Sequence, residues 1–142
     1  VAFDSSSSDR RLEEELGAVV ALAAVEIQAA RARWAPQWGV SPEGIRTLVL
    51  SDSVEFHDAL LRHVAESGEG LGLLPADMSD VVHTGVPGHH EVEGDEATLA
   101  GRWRAVADWS AMAASGAVIA TGQSTFRTTA VAAGNVPHCR IS

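Results

Sequence analysis

Two short turns hold the residues best suited to chemistry. The first is Thr121-Gly122-Gln123-Ser124-Thr125, which follows the apolar run 117–120 and precedes an Ala- and Thr-rich stretch, 126–133. A buried strand, a turn with glycine and a helix opened by Ser or Thr make half of a βαβ unit. Gly122 lets backbone approach a ligand closely, and a helix start leaves unpaired N–H groups aimed at it. Such a start favours an anion, and phosphate is the commonest one. The second turn is Ser51-Asp52-Ser53, between the apolar run 44–50 and the helical pattern 54–66. It is acidic and hydroxylated instead of glycine-rich. A third group, Asp108, stands in the middle of an otherwise apolar helix.

Each of these has a plainer reading beside the chemical one. Asp52, with Glu55 three residues on, has capping-box spacing, and a good cap contributes about 1 kcal/mol. Ser124 and Thr125 suit the cap of the last helix equally well. Asp108 fits a solvent-facing position. His83, His89 and His90, with Glu91, share a Gly- and Pro-containing loop. Adjacent histidines do not aim several ligands at one point as a His-Glu-x-x-His helix does, so solvated loop residues are expected there and no metal. His57 and His63 fall at helical positions and read as exposed, and Cys139 reads as a buried strand residue. The four tryptophans, 34, 38, 103 and 109, read as core or rim packing. The chain has no Gly-x-Ser-x-Gly elbow, Walker loop or Gly-x-Gly-x-x-Gly.

The elements that must position these groups read as follows. Residues 1–3 suit the end of a strand, and 4–10, with four serines, a polar turn that Asp9 would close as a helix cap. A helix is expected over 10–34, with Leu12, Leu16, Val19, Val20, Ala23, Ile27, Ala30 and Trp34 on one stripe. Glu13, Glu14 and Glu15 in its first turn and Arg31 and Arg33 in its last suit the helix dipole. Pro36, Gly39 and Pro42 end it. A buried parallel strand is expected over 44–50, and a helix over 54–66 with Phe56, Leu60, Leu61 and Val64 inward. A short strand at 71–74 and a loop over 77–94 come next, in which Val81 and Val82 pair briefly. Asp95 then caps a helix to about residue 114 with Leu99, Trp103, Val106, Ser110 and Ala113 down one face. The last strand, 136–141, suits a sheet edge because Pro137 lacks an N–H. No internal repeat is read. Alternating strand and helix predict one α/β domain over 1–142, a three-layer Rossmann-like fold with a mostly parallel sheet. Both turns would then lie at the carboxyl rim of that sheet, where such folds bind ligands.

Composition narrows the function classes. At 142 residues, 46% hydrophobic and 5% aromatic, the chain can bury a full core. A net charge of -9 argues against nucleic acid and against an anionic membrane as partners, and serves solubility. One cysteine leaves no internal disulfide and suits a reducing, cytoplasmic setting. The start is polar and does not read as a signal peptide, and the longest apolar run, 18–25, is short of the roughly 20 residues a membrane span needs.

Two blocks together, TLVLSDSVEFHDALLRH (47–63) and RAVADWSAMAASGAVIATGQSTFRTTAVAAG (104–134), resemble the nucleotide-sugar half of fucosyltransferase-like glycosyltransferases. That group includes the α1,6-fucosyltransferases and the protein O-fucosyltransferases. The resemblance covers roughly 44–141 and implies a domain that holds a GDP-sugar donor without metal or other cofactor. It implies that Asp52 contacts the base or ribose, with Ser53 where family members often carry a second Asp, and that Asp108 helps read guanine. Thr121, Gly122, Gln123, Ser124 and Thr125 then form the turn that receives the phosphates. The chain departs from the family in two respects. The His-x-Arg segment that neutralises the diphosphate has no match near residues 1–10, and the acceptor domain has no room. A fragment, a partner half on a second domain or chain, or a fold without transfer activity each accommodates this.

Three expectations follow. The first is the GDP-sugar-binding part of a glycosyltransferase, its departing diphosphate stabilised by helix-end N–H groups and cations. The second is a non-catalytic α/β module that binds a nucleotide or a partner subunit. The third is a small-molecule enzyme built on the loop of His83, His89 and His90.

Overall fold

The computed structural model describes residues 5–78, 96–121 and 125–141. The chain divides into two compact units, Val1–Ala76 and Asp77–Ser142. Among the described residues it is mostly helical, with four helices and two small parallel sheets of two strands each.

The first unit opens with α1, Ser5–Trp38, of 34 residues. The serine run is therefore the helix's first turn and not a loop ahead of it. Starting at Ser5 also takes Glu13, Glu14 and Glu15 out of the first turn, and ending at Trp38 takes Arg31 and Arg33 out of the last. The expected match of charge to dipole is thus absent. Pro36 lies inside the helix, near its end. Termination comes two residues after it: Gly39, at φ 67, donates to the Pro36 carbonyl at 3.3 Å, and Val40 donates to Ala35 at 3.1 Å. This paired closure is the Schellman motif, which needs a left-handed residue where Gly39 stands.

The buried face of α1 is Val20, Ala23, Ala24, Ile27, Arg31 and Ala35. It is rotated away from the expected stripe: Leu12 and Val19 are exposed, and Leu16, Ala30 and Trp34 are half-buried. A 3-10 turn, Pro42–Gly44, leads to β1, Thr47–Leu48. Then come α2, Val54–Ser67, and β2, Leu73–Leu74. The two strands pair in parallel, Thr47 with Leu73 and Leu48 with Leu74. Thr47 donates to the Gly72 carbonyl at 3.1 Å and Val49 to that of Leu74 at 3.2 Å. α2 buries His57, Leu60 and Val64, while Phe56 and Leu61 are half-buried.

The second unit repeats this order of helix, strand, helix, strand. It holds α3, Glu96–Ala114, then β3, Val118–Thr121, then α4, Thr125–Gly134, and β4, His138–Ile141. β3 and β4 are parallel, with Val118 opposite His138 and Thr121 opposite Ile141. α4 closes as α1 does, with Asn135 in place of glycine. Asn135, at φ 50, donates to Ala132 at 3.3 Å, and Val136 donates to Val131 at 2.9 Å. That closure brings Val136 against Val131, and the two bury Val118 between strand and helix, with Met112 and Ala120 packed on them.

The expected three-layer Rossmann-like domain with one mostly parallel sheet is therefore overturned. The alternation of strand and helix is present, but each crossover returns the chain to the strand it has just left. β1 finds β2 and β3 finds β4, so each βαβ unit closes on itself and among the described residues no sheet exceeds two strands. The expected strand end at 1–3, the brief strand pairing expected of Val81-Val82 and the cap at Asp95 lie outside the described residues.

Candidate functional site

The strand–turn–helix at β1 and α2 forms where the sequence placed it. Its turn is organised by hydroxyls. Ser51 Oγ accepts from the Ser53 N–H at 3.0 Å, and Ser53 is extended, at φ -109 and ψ 112. Ser53, not Asp52, is the N-cap: its Oγ accepts from the Phe56 N–H at 3.2 Å and donates to Glu55 Oε2 at 3.3 Å. The backbone bond from His57 to the Ser53 carbonyl, at 3.1 Å, starts the helical ladder. Asp52 is exposed beside this turn.

The other expected site residues belong to the second unit. Asp108, on α3, accepts from Arg104 Nε at 2.8 Å, one turn back on the same helix. The pair is mostly buried, with side chains 15% and 22% exposed, and Arg104 also turns its Nη2 to Met78 Sδ at 3.9 Å. The Asp108 carboxylate is therefore already held by a cation of its own helix. Its neighbour Trp109 gives its indole N–H to Thr129 Oγ1 at 3.0 Å, which ties α3 to α4. Thr121 ends β3 and Thr125 begins α4. Gly122, Gln123 and Ser124, the middle of the expected phosphate turn, lie outside the described residues, as do His83, His89 and His90. Asp52 and Ser53 sit at the end of one two-stranded sheet, Thr121 and Thr125 at the end of the other.

An open groove of about 730 Å³ runs between α1 and α2. Its floor includes Leu16, Val20 and Ala59, and its rim carries Glu13, Asp58 and Glu66. It takes in Val54 and Glu55 from the head of α2 but neither Asp52 nor Ser53. Four carboxylates, with Glu55, against the single arginine Arg62 repel a diphosphate by charge. Among the described residues no group of three or more His, Cys, Asp or Glu is placed to hold a metal ion.

Two residues gain a role that periodicity did not reveal. His57, expected on the surface, is 3% exposed. Its Nε2 accepts from the Ala76 N–H at 3.1 Å and its Nδ1 lies 2.9 Å from Asp58 Oδ1. Arg31, expected near the helix end as a dipole partner, is 8% exposed and gives Nη1 to the Gly70 carbonyl at 3.2 Å. Its Nε is buried without a hydrogen bond. The signal was present for Arg31, which stands four residues after Ile27 on the buried row. For His57 it was weaker, since Leu60 and Val64 mark its face only once Phe56 and Leu61 are set aside. Cys139, read as buried, is half-buried. Trp34 and Trp38 stack at 5.8 Å, with the Arg33 guanidinium 5.4 Å above Trp34, at the end of α1.

Comparison with protein-family models, with curated proteins and with solved structures gave no match.

Proposed function

We propose that the chain is a non-catalytic interaction module that binds a partner subunit through the outer face of α3. The observation that supports this is the row Leu99, Trp103 and Val106, which is 52%, 66% and 55% exposed. Residues at i, i+4 and i+7 form one continuous stripe on a helix. Periodicity marks that stripe for burial, yet the described residues do not cover it. Tryptophan is also the residue type that most often anchors a protein interface. An apolar stripe is complementary to itself, so a second copy of this chain is the partner proposed, in the two-fold arrangement commonest among oligomers. The net charge of -9 opposes close approach of two copies, and added salt should ease it. Sedimentation equilibrium over a concentration series, at low and high salt, tests the reading. The expected mass rises towards a dimer, more readily at high salt, and Trp103→Glu stays monomeric. A chain that remains a monomer throughout overturns it.

A second reading places the nucleotide of a GDP-sugar at the turn between β1 and α2, as the resemblance implies. It is favoured by the order of strand, Ser51-Asp52-Ser53 turn and helix. Against it stands the Ser53 hydroxyl, engaged in both directions. Calorimetric titration with GDP decides it. Saturable heat that Asp52→Ala weakens supports the reading, and no heat at millimolar nucleotide removes it.

A further inference from the structure

The strongest unexplained feature of the first unit is the buried imidazole of His57. Its two nitrogens have different partners, and the partners assign the proton. A backbone amide can only donate, so Nε2, which receives the Ala76 N–H at 3.1 Å, carries a lone pair and no hydrogen. The hydrogen therefore sits on Nδ1 and is given to Asp58 Oδ1 at 2.9 Å. Nε2 links positions 19 residues apart in the sequence, on α2 and in the segment that leaves β2.

We propose that His57 is a proton-operated latch on the segment that leaves β2. The neutral ring holds Ala76. A proton taken up at Nε2 occupies the lone pair that the Ala76 N–H needs, and turns an acceptor into a donor facing a donor. The contact is therefore present while Nε2 keeps its lone pair and lost once that nitrogen carries a proton, which frees the Ala76 amide.

The surrounding charges act in known directions. Asp58, on the same helix, attracts the protonated ring, but its side chain is 61% exposed and water weakens that attraction. From α1, Glu13 lines the same groove as Asp58, and Arg31 is committed to the Gly70 carbonyl. Asp52 and Glu55 stand exposed at the head of α2, and Asp77 is exposed next to Ala76. β1 and β2 contain only Thr and Leu. Among the described residues no second charged group makes an ion pair with the ring.

The test is nitrogen NMR on the whole chain, following the His57 ring nitrogens and the Ala76 amide from about pH 8 to pH 5, the range in which histidine changes charge. At the upper end Nδ1 should carry the proton. On acidification Ala76 should lose its protection from exchange by about tenfold relative to unaffected amides, the size of one ordinary hydrogen bond. His57→Gln offers an amide oxygen near the place of Nε2 without a titrating group, and should hold Ala76 equally at both ends of the range. If that variant does not fold, Asp58→Asn serves: the ring loses the carboxylate that favours its charge, so release should move to lower pH. A proton on Nε2 at pH 8 overturns the latch. So does an Ala76 amide indifferent to pH in the wild type, or one whose pH response survives unchanged in the variant that folds.

Discussion

At Ser53 a single hydroxyl does two things at once, receiving the Phe56 N–H and giving its own proton to Glu55. The first satisfies one of the donors that every helix start leaves open. The second orients the hydroxyl so that its lone pair faces the helix. Ser53→Ala removes both, and the expected loss is about 1 kcal/mol, read as a fall in the denaturant midpoint. Ser53→Asp, which keeps an acceptor at the cap, should recover most of it, and equal losses in the two variants would show that the cap carries no weight. The N-cap is Ser53, although the spacing from 52 to 55 pointed to Asp52. Residue types were legible here and the assignment of the cap was not. One residue of shift in where the backbone turns extended decides which side chain reaches the open N–H, and that shift lies below what spacing resolves.

The elements show the same division. Among the described residues, the four helices and four strands fall within or across stretches whose period or apolar content announced them. Which face each helix buries was read less well. On α1 the expected stripe keeps Val20, Ala23 and Ile27 but loses Leu12 and Val19 to solvent, because Ala24, Arg31 and Ala35 supply the other side of the contact. Small residues carry little hydrophobic signal and still allow close packing. Glycine sharpens the point. A Cβ at Gly134 would overlap the Ala113 carbonyl oxygen and press on Val136, so α4 meets the end of α3 only because that side chain is missing. Gly134→Ala should destabilise the protein by about 1–3 kcal/mol through overpacking. Gly17, inside α1, has nothing within 4 Å of where a Cβ would stand, and Gly17→Ala should stabilise by about 0.5–1 kcal/mol. Thermal unfolding of the two variants side by side checks both signs. Matching shifts in one direction would mean that helix propensity alone governs them.

At the scale of the molecule, the order helix, strand, helix, strand occurs twice among the described residues, and each unit closes its own parallel pair. A two-stranded sheet covers little apolar surface, so the helices carry most of the burial, and α3 keeps an apolar row outside it. If that row is an interface, Trp103→Glu abolishes association while leaving the monomer's stability within about 0.5 kcal/mol, as a surface change does. A large loss of stability in the monomer would instead place Trp103 inside the fold. By itself the amino-acid order determined the described elements, the acidic balance and the turn at Ser51-Asp52-Ser53, because period, charge and turn chemistry are local properties of a few neighbouring residues. Only the tertiary structure decided that β1 pairs with β2 and β3 with β4, that His57 is buried against Ala76, and that Leu99, Trp103 and Val106 face outward. Those outcomes depend on contacts between residues far apart in the chain, and nothing in the spacing of neighbours expresses which distant partner a strand or a face will meet.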